Sequence, residues 1–142
     1  MAGIVLTDAA RKLLTSDVVP TVVTINEDGS PQVAAAWVGL EGEDIVLATM
    51  PDQRKLRNLR RDPRVTISLL SPTTNPWGLR EYLVVYGTAR VTEGGAPEML
   101  QQLAYTYIGP EVVFPNIPDP PPGFGTRITP ERIGGVGPWN SE

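Results

Sequence analysis

Residues 18–49 carry the pattern that most constrains this chain: three runs of β-branched and small apolar residues separated by two acidic, glycine-containing turns. The runs occupy residues 18–26 (VVPTVVTIN), 31–40 (PQVAAAWVGL) and 45–49. β-branched side chains suit a pleated surface and lose freedom in a helix, so each run is expected as a strand. Gly29 in the turn Glu27-Asp28-Gly29-Ser30 supplies the positive φ that a tight connection needs, which predicts a hairpin from the first two runs. Pro20 has no N–H to donate and marks a strand start or a sheet edge.

The same punctuation continues. Residues 65–70, 81–92 and 127–136 read as further strands, the last interrupted by Pro130, and Gly87 reads as a bulge or tight bend. Residues 7–15, capped by Thr7 or Asp8, and 96–107 show helical apolar spacing. Residues 71–79 read as a loop. Residues 109–125 hold six prolines and no periodicity, and so much irregular chain in a compact domain is expected to act as a cover or an arm. Six or more strands with few helices predict a mainly β fold, a closed antiparallel barrel, with residues 1–142 as one domain. The run 33–38 is apolar on both faces, which calls for a cover on each side. The expected second cover is another subunit, hence a homodimer.

The charge is unevenly placed. The chain is −4 overall, yet residues 52–64 carry six basic and two acidic groups, leaving −8 for the rest. Such a concentration asks for an anionic partner. The segment reads as a short helix with Pro51 at its first position and Asp52 near the positive end of the dipole. Asp62-Pro63 ends it. Leu56 and Leu59 form the expected inward stripe, with Arg54, Arg57, Asn58 and Arg61 on the opposite side. Lys55 lies near the start, where a phosphate is favoured. Guanidinium groups and a lysine together suit a phosphodiester, Thr49 adds a donor, and Val33, Ala34 and Met50 are suitable walls for a ring. Plain core packing for the apolar three, and a backbone bond for Thr49, are the alternatives.

Composition excludes much chemistry. There is no cysteine and no histidine, which removes disulfides, thiolate nucleophiles, triads and the commonest metal ligand. No carboxylate spacing suggests a metal site. Net acidity argues against nucleic acid as a partner, and no apolar run is long enough to cross a bilayer. The N-terminus lacks the basic start of a signal peptide, so a cytoplasmic location is expected. Trp77, in a Pro-Trp-Gly loop, either covers a pocket or packs within the loop. Trp37 reads as core or interface.

Asp28-Gly29-Ser30-Pro31, Lys55-x-x-Asn58-Leu59-x-x-Asp62-Pro63 and the run EYLVVYGTARV, in this order, resemble the flavin-binding split β-barrel family of pyridoxamine-phosphate-oxidase-like proteins. Within it, the chain is most similar to the actinobacterial branch that uses the deazaflavin coenzyme F420. The resemblance runs from about residue 6 to 137. It implies a homodimer with cofactor sites at the subunit interface. The ring would neighbour Pro31, Gln32, Val33 and Ala34, with Ala48, Thr49 and Met50 flanking the ring or ribityl chain. Gln53, Lys55, Arg57 and Asn58 would hold the phosphate, and Arg54, Arg60 and Arg61 would be the nearest cations for an acidic tail. Trp77 is included as a candidate cover. The implied activity is hydride transfer from the reduced deazaflavin to a small conjugated or hydrophobic acceptor. FMN in the same fold, or a non-catalytic F420 carrier, are the alternatives, and no catalytic residue is assigned.

Overall fold

The computed structural model describes residues 3–140; the leader reading of the N-terminus falls partly on Met1 and Ala2, outside them. The elements run α1 (Asp8–Leu14), β1 (Thr21–Ile25), β2 (Pro31–Ala35), β3 (Gly39–Glu41), β4 (Asp44–Thr49), α2 (Arg54–Arg61), β5 (Arg64–Thr74), β6 (Arg80–Glu93), α3 (Ala96–Tyr107) and β7 (Phe124–Val136), followed by a 3-10 turn at Pro138–Asn140. All seven strands belong to one sheet, ordered β2-β1-β5-β6-β7-β4-β3, and every neighbouring pair is antiparallel.

Connectivity forces this sheet to curl. Laid flat, its outer strands would stand six spacings apart, about 29 Å. Yet β2 and β3, the two edges, are joined by residues 36–38 alone, and four Cα steps span at most about 15 Å. The sheet therefore rolls into a barrel with its seam between β2 and β3. Inside lie Val22, Ile45, Leu47, Ile67, Leu69, Leu83, Val85 and Ile128, with Ala10, Leu13 and Leu14 of α1 in the same cluster. The Thr7 hydroxyl caps α1 by accepting from the Ala10 N–H at 3.2 Å.

The structure departs from the sequence expectations in several places, one being that β7 runs unbroken through Pro130. The predicted second strand is two strands on opposite edges, because the chain crosses the seam at residues 36–38; Val38 is buried there. The predicted loop 71–79 shrinks to a turn. β5 continues to Thr74 through a register irregularity after Leu70, and the Asn75 side chain accepts from Trp77 N and Leu79 N. β1 is shorter than predicted, starting after Pro20. α2 begins at Arg54 with Gln53 as its N-cap, so Pro51 and Asp52 precede the helix. By contrast, the hairpin of β1 and β2 is as the sequence suggested, and Gly87 does flank a bulge, whose extra residue is Glu131 on β7. A Cβ at Gly87 would collide with the Thr129 carbonyl across the strand pair, so this close approach needs glycine.

The seam is held by one phenol. The Tyr107 hydroxyl accepts from Val38 N and donates to Val38 O, both at 3.1 Å, pairing the backbone polar groups of a buried residue. Tyr107→Phe leaves both groups unpaired, and an unsatisfied buried group costs about 1–3 kcal/mol. With two such groups the expected result is a loss of about 2–6 kcal/mol in urea unfolding, with an unchanged m value.

Candidate functional site

Helix α2 is the pivot. Its inward face is wider than a two-leucine stripe: Lys55, Leu56, Asn58 and Leu59 are all buried. Asn58 therefore does not share the solvent side with Arg54, Arg57 and Arg61, as the spacing had suggested. Its amide donates to Thr24 Oγ1 at 3.1 Å and to Asn26 Oδ1 at 2.9 Å, anchoring α2 on β1. The helix ends as predicted, with Asp62 extended before Pro63. Asp62 pairs with Arg64 at 2.7 Å, and the Arg64 guanidinium holds its carboxyl down to about 2.

Lys55 is the exception within that face. It is 8% exposed and makes no hydrogen bond or ion pair among the described residues. Burial alone pushes its pKa below the ordinary lysine value. A lysine is almost never this buried without a partner, because desolvating a charge is costly. It lines an open cleft of about 410 Å³ together with Gln53, Thr49, Ala48, Met50 and Pro51, and with Val19, Ala35, Ala36, Trp37, Leu100 and Phe114. Thr49 supplies a second orphan: its hydroxyl, itself closed to solvent, has no hydrogen-bond partner among the described residues. One wall thus holds an unpaired cation, the other apolar and aromatic surface. No carboxylate lines the cleft, so it suits an anion joined to a ring and repels no negative charge.

A second cleft, about 540 Å³, lies on the other side of α2. It is lined by Arg54, Arg57, Asn58, Arg61 and the hairpin turn residues Asn26, Glu27, Asp28 and Ser30. It has charge but no apolar wall for a ring. Most of its cations are engaged already: Arg57 donates to Asp52 O at 2.9 Å, and Arg61 donates to Ile25 O and to Asn58 Oδ1. Arg60, outside that cleft, pairs with Asp52 at 3.1 Å and sits over the Phe124 ring at 5.0 Å. Arg54 alone of these arginines has no such partner among the described residues. The Ser30 hydroxyl and N–H, with help from Arg54, hold the Asp28 carboxyl below the usual range.

The residues proposed from sequence are thus divided. Ala48, Thr49, Met50, Gln53 and Lys55 meet in the first cleft; Arg54, Arg57, Asn58 and Arg61 meet in the second. Pro31, Gln32, Val33 and Ala34 lie on edge strand β2 and line neither cleft, with Val33 59% exposed. Trp77 stands 85% exposed at the β5–β6 turn, and within one chain it is not brought to either cleft. Val19, Ala35, Ala36, Leu100 and Phe114 were not foreseen. Trp37 was legible only as an aromatic in a run apolar on both faces. Among the described residues there is no cluster able to hold a metal ion and no helix long and apolar enough to cross a membrane.

Comparison with known proteins gives a consistent picture. The family model for pyridoxamine 5'-phosphate oxidase matches residues 6–137. A solved F420 reductase superposes with a TM-score of 0.75 at 25% identity, covering 91% of this chain and 98% of that one. A conserved hypothetical protein from Mycobacterium tuberculosis gives 0.71 at 28% identity, covering 95% and 87%. An FMN-binding protein from Syntrophomonas wolfei gives 0.65 at 15% identity, covering 90% and 84%, a likeness of fold alone. None of the curated proteins matches the sequence. The rolled sheet is therefore the split barrel that the sequence resemblance implied.

Proposed function

The chain belongs to the pyridoxamine 5'-phosphate oxidase family, and we propose that it is a cytoplasmic oxidoreductase using a phosphorylated flavin-type cofactor, coenzyme F420 in the first instance. The observation that carries this reading is Lys55: a buried, unpaired cation in a cleft whose remaining lining is neutral and largely apolar. A structural lysine would have a partner; this one and Thr49 fit a phosphate. Gln53, exposed ahead of the helix, adds an amide donor. The free N–H groups at the start of α2 favour the same charge.

Bound there, the reduced cofactor would supply the hydride for a small acceptor, so no protein nucleophile is required. The chain's own part is to fix the phosphate with Lys55 and Thr49 and to hold the ring's surroundings apolar with Ala35, Ala36 and Met50. We propose a homodimer in which a second copy completes the site. Supporting this, β2 is a sheet edge with Pro31, Val33 and Ala35 exposed, and Val19, Leu70 and Tyr82 add exposed apolar surface. In that arrangement Pro31–Ala34 and Trp77 would reach a cofactor from across the interface.

FMN is the second reading, and one observation favours it. Arg57, Arg60 and Arg61 are occupied within the chain, which leaves Arg54 as the main cation for an acidic tail. The similar F420 reductase favours the deazaflavin. Fluorescence titration of the purified protein with F420 and with FMN separates them: tighter F420 binding is expected. A preference for FMN reassigns the cofactor, and binding of neither removes the reading. Tight binding without turnover of any acceptor would make the protein a carrier.

A further inference from the structure

One mouth of the barrel holds a pocket that the cofactor reading leaves unused. The β5–β6 ladder breaks between the pairs Leu70–Tyr82 and Thr74–Arg80, so Ser71, Pro72 and Thr73 stand opposite Glu81 alone. Pro72 has no N–H for the ladder, and the surplus residues stand off it. The opening that results, about 430 Å³, lies between α1, this break and the 3-10 turn. It shares no lining residue with the Lys55 cleft and none with the proline-rich strap between α3 and β7. Leu13, Val18, Pro72 and Trp139 give it an apolar lining. The Trp139 indole N–H is already spent on Tyr82 O at 3.0 Å, which leaves the ring as apolar surface.

Two polar groups interrupt that lining. Glu81 has the strand parity of Leu83 and Val85, both core residues, so its side chain leaves β6 on the inner side of the sheet. It is half-buried and makes no hydrogen bond or ion pair among the described residues. Ser71 is buried beside it, and its hydroxyl, bonded only to Thr73 N at 3.1 Å, keeps a lone pair for a further donor. A carboxylate on the inner side of a strand is costly unless something pairs with it. At the rim, Asp17 adds a second carboxylate without an ion-pair partner, against the single exposed cation of Lys12.

We propose that this mouth is a second binding site, for a small organic cation: an amine whose ammonium pairs with Glu81 and whose apolar body lies against Trp139 and Leu13. Mouths of β-barrels are frequent places for small-ligand sites, with a mostly apolar lining and a few polar groups that fix orientation. Here the lining supplies the affinity, Glu81 with Asp17 selects the sign of the charge, and Ser71 accepts from the ammonium. The face of an indole also attracts a cation. The site requires neither F420 nor FMN.

The test uses the full chain and three probes with one phenyl body, 2-phenylethylamine, 2-phenylethanol and 3-phenylpropionate, titrated by calorimetry at neutral pH. The amine is expected to bind at least about fivefold more tightly than the alcohol, the upper end of what an exposed ion pair contributes, and the carboxylate most weakly. Glu81→Gln should bring the amine down to the alcohol's affinity and leave the alcohol unchanged. Ala9→Phe, which fills the pocket from α1, should abolish binding of both, with the thermal midpoint showing that the variant is folded. Lys55→Ala should change none of these affinities. The proposal is overturned if the amine does not bind at millimolar concentration, or if the alcohol or the carboxylate binds as tightly. It is equally overturned if the amine keeps its advantage in folded Glu81→Gln, or if Lys55→Ala alters amine binding, which would place the ligand in the other cleft.

Discussion

Lys55→Ala is expected to weaken cofactor binding by about 1.5–3 kcal/mol, the range for a hydrogen bond to a charged group, or roughly 10- to 150-fold in Kd. Fluorescence titration of wild type and variant reads this directly. Stability should change little or rise, because the substitution removes a desolvated, unpaired charge rather than breaking a bond. This combination separates a binding lysine from a structural one, whose loss would lower stability and leave affinity alone. The pH dependence follows with a definite sign. Burial lowers the Lys55 pKa in the free protein, and a bound phosphate would raise it again. Affinity is therefore full below the lowered value and falls as pH rises through it, since binding must then take up a proton. In Lys55→Ala that fall should vanish. A wild-type affinity independent of pH across the alkaline range, or an unchanged affinity in the variant, would move Lys55 out of the site.

Gly123→Val should be the most damaging single change on the strap. Gly123 has φ +60°, and a Cβ there would lie 2.6 Å from the Thr49 carbonyl, 2.6 Å from the Ala96 Cβ and 2.9 Å from the Met50 Cα. Two of those neighbours are backbone, so relief requires moving the end of β4. Left-handed strain at a β-branched residue costs about 1–3 kcal/mol, and overpacking adds about 1–3 more. Chemical denaturation should show a loss within that summed range. Because the displaced residues carry one wall of the cleft, cofactor affinity should fall in the fraction that remains folded. A variant with wild-type stability and affinity would show that the strap is not seated where Gly123 places it.

Sequence patterning made some of this legible and concealed the rest for identifiable reasons. The hairpin and the end of α2 rest on local chemistry: a positive φ at Gly29 and a proline that its predecessor must accommodate. Those causes act within a few residues and show as residue types. The break in the 31–40 run does not show, because Ala36-Trp37-Val38 has the same β-prone character as its neighbours. Only barrel closure explains why the chain changes edges there.

The candidate site divides along the same line. That the segment 53–64 would favour an anion was evident from its charge. Which cation matters was not, because five of the six look alike in sequence and Lys55 differs only in where the helix turns it. Asn58, read as facing solvent, is instead turned onto β1, and four of the five arginines are consumed by nearby acceptors.

Composition and local periodicity, acting over a turn or a strand pair, decided on their own that this would be a β-rich chain with a cationic helix after its early strands, and that it could do no cysteine or histidine chemistry. Tertiary structure alone decided that β2 and β3 would sit at opposite edges, that Phe114 would face Lys55 across one cleft, and that a single lysine would be stripped of water and partners. Each of these depends on contacts between residues far apart in the chain. Such contacts come into being only when the sheet closes.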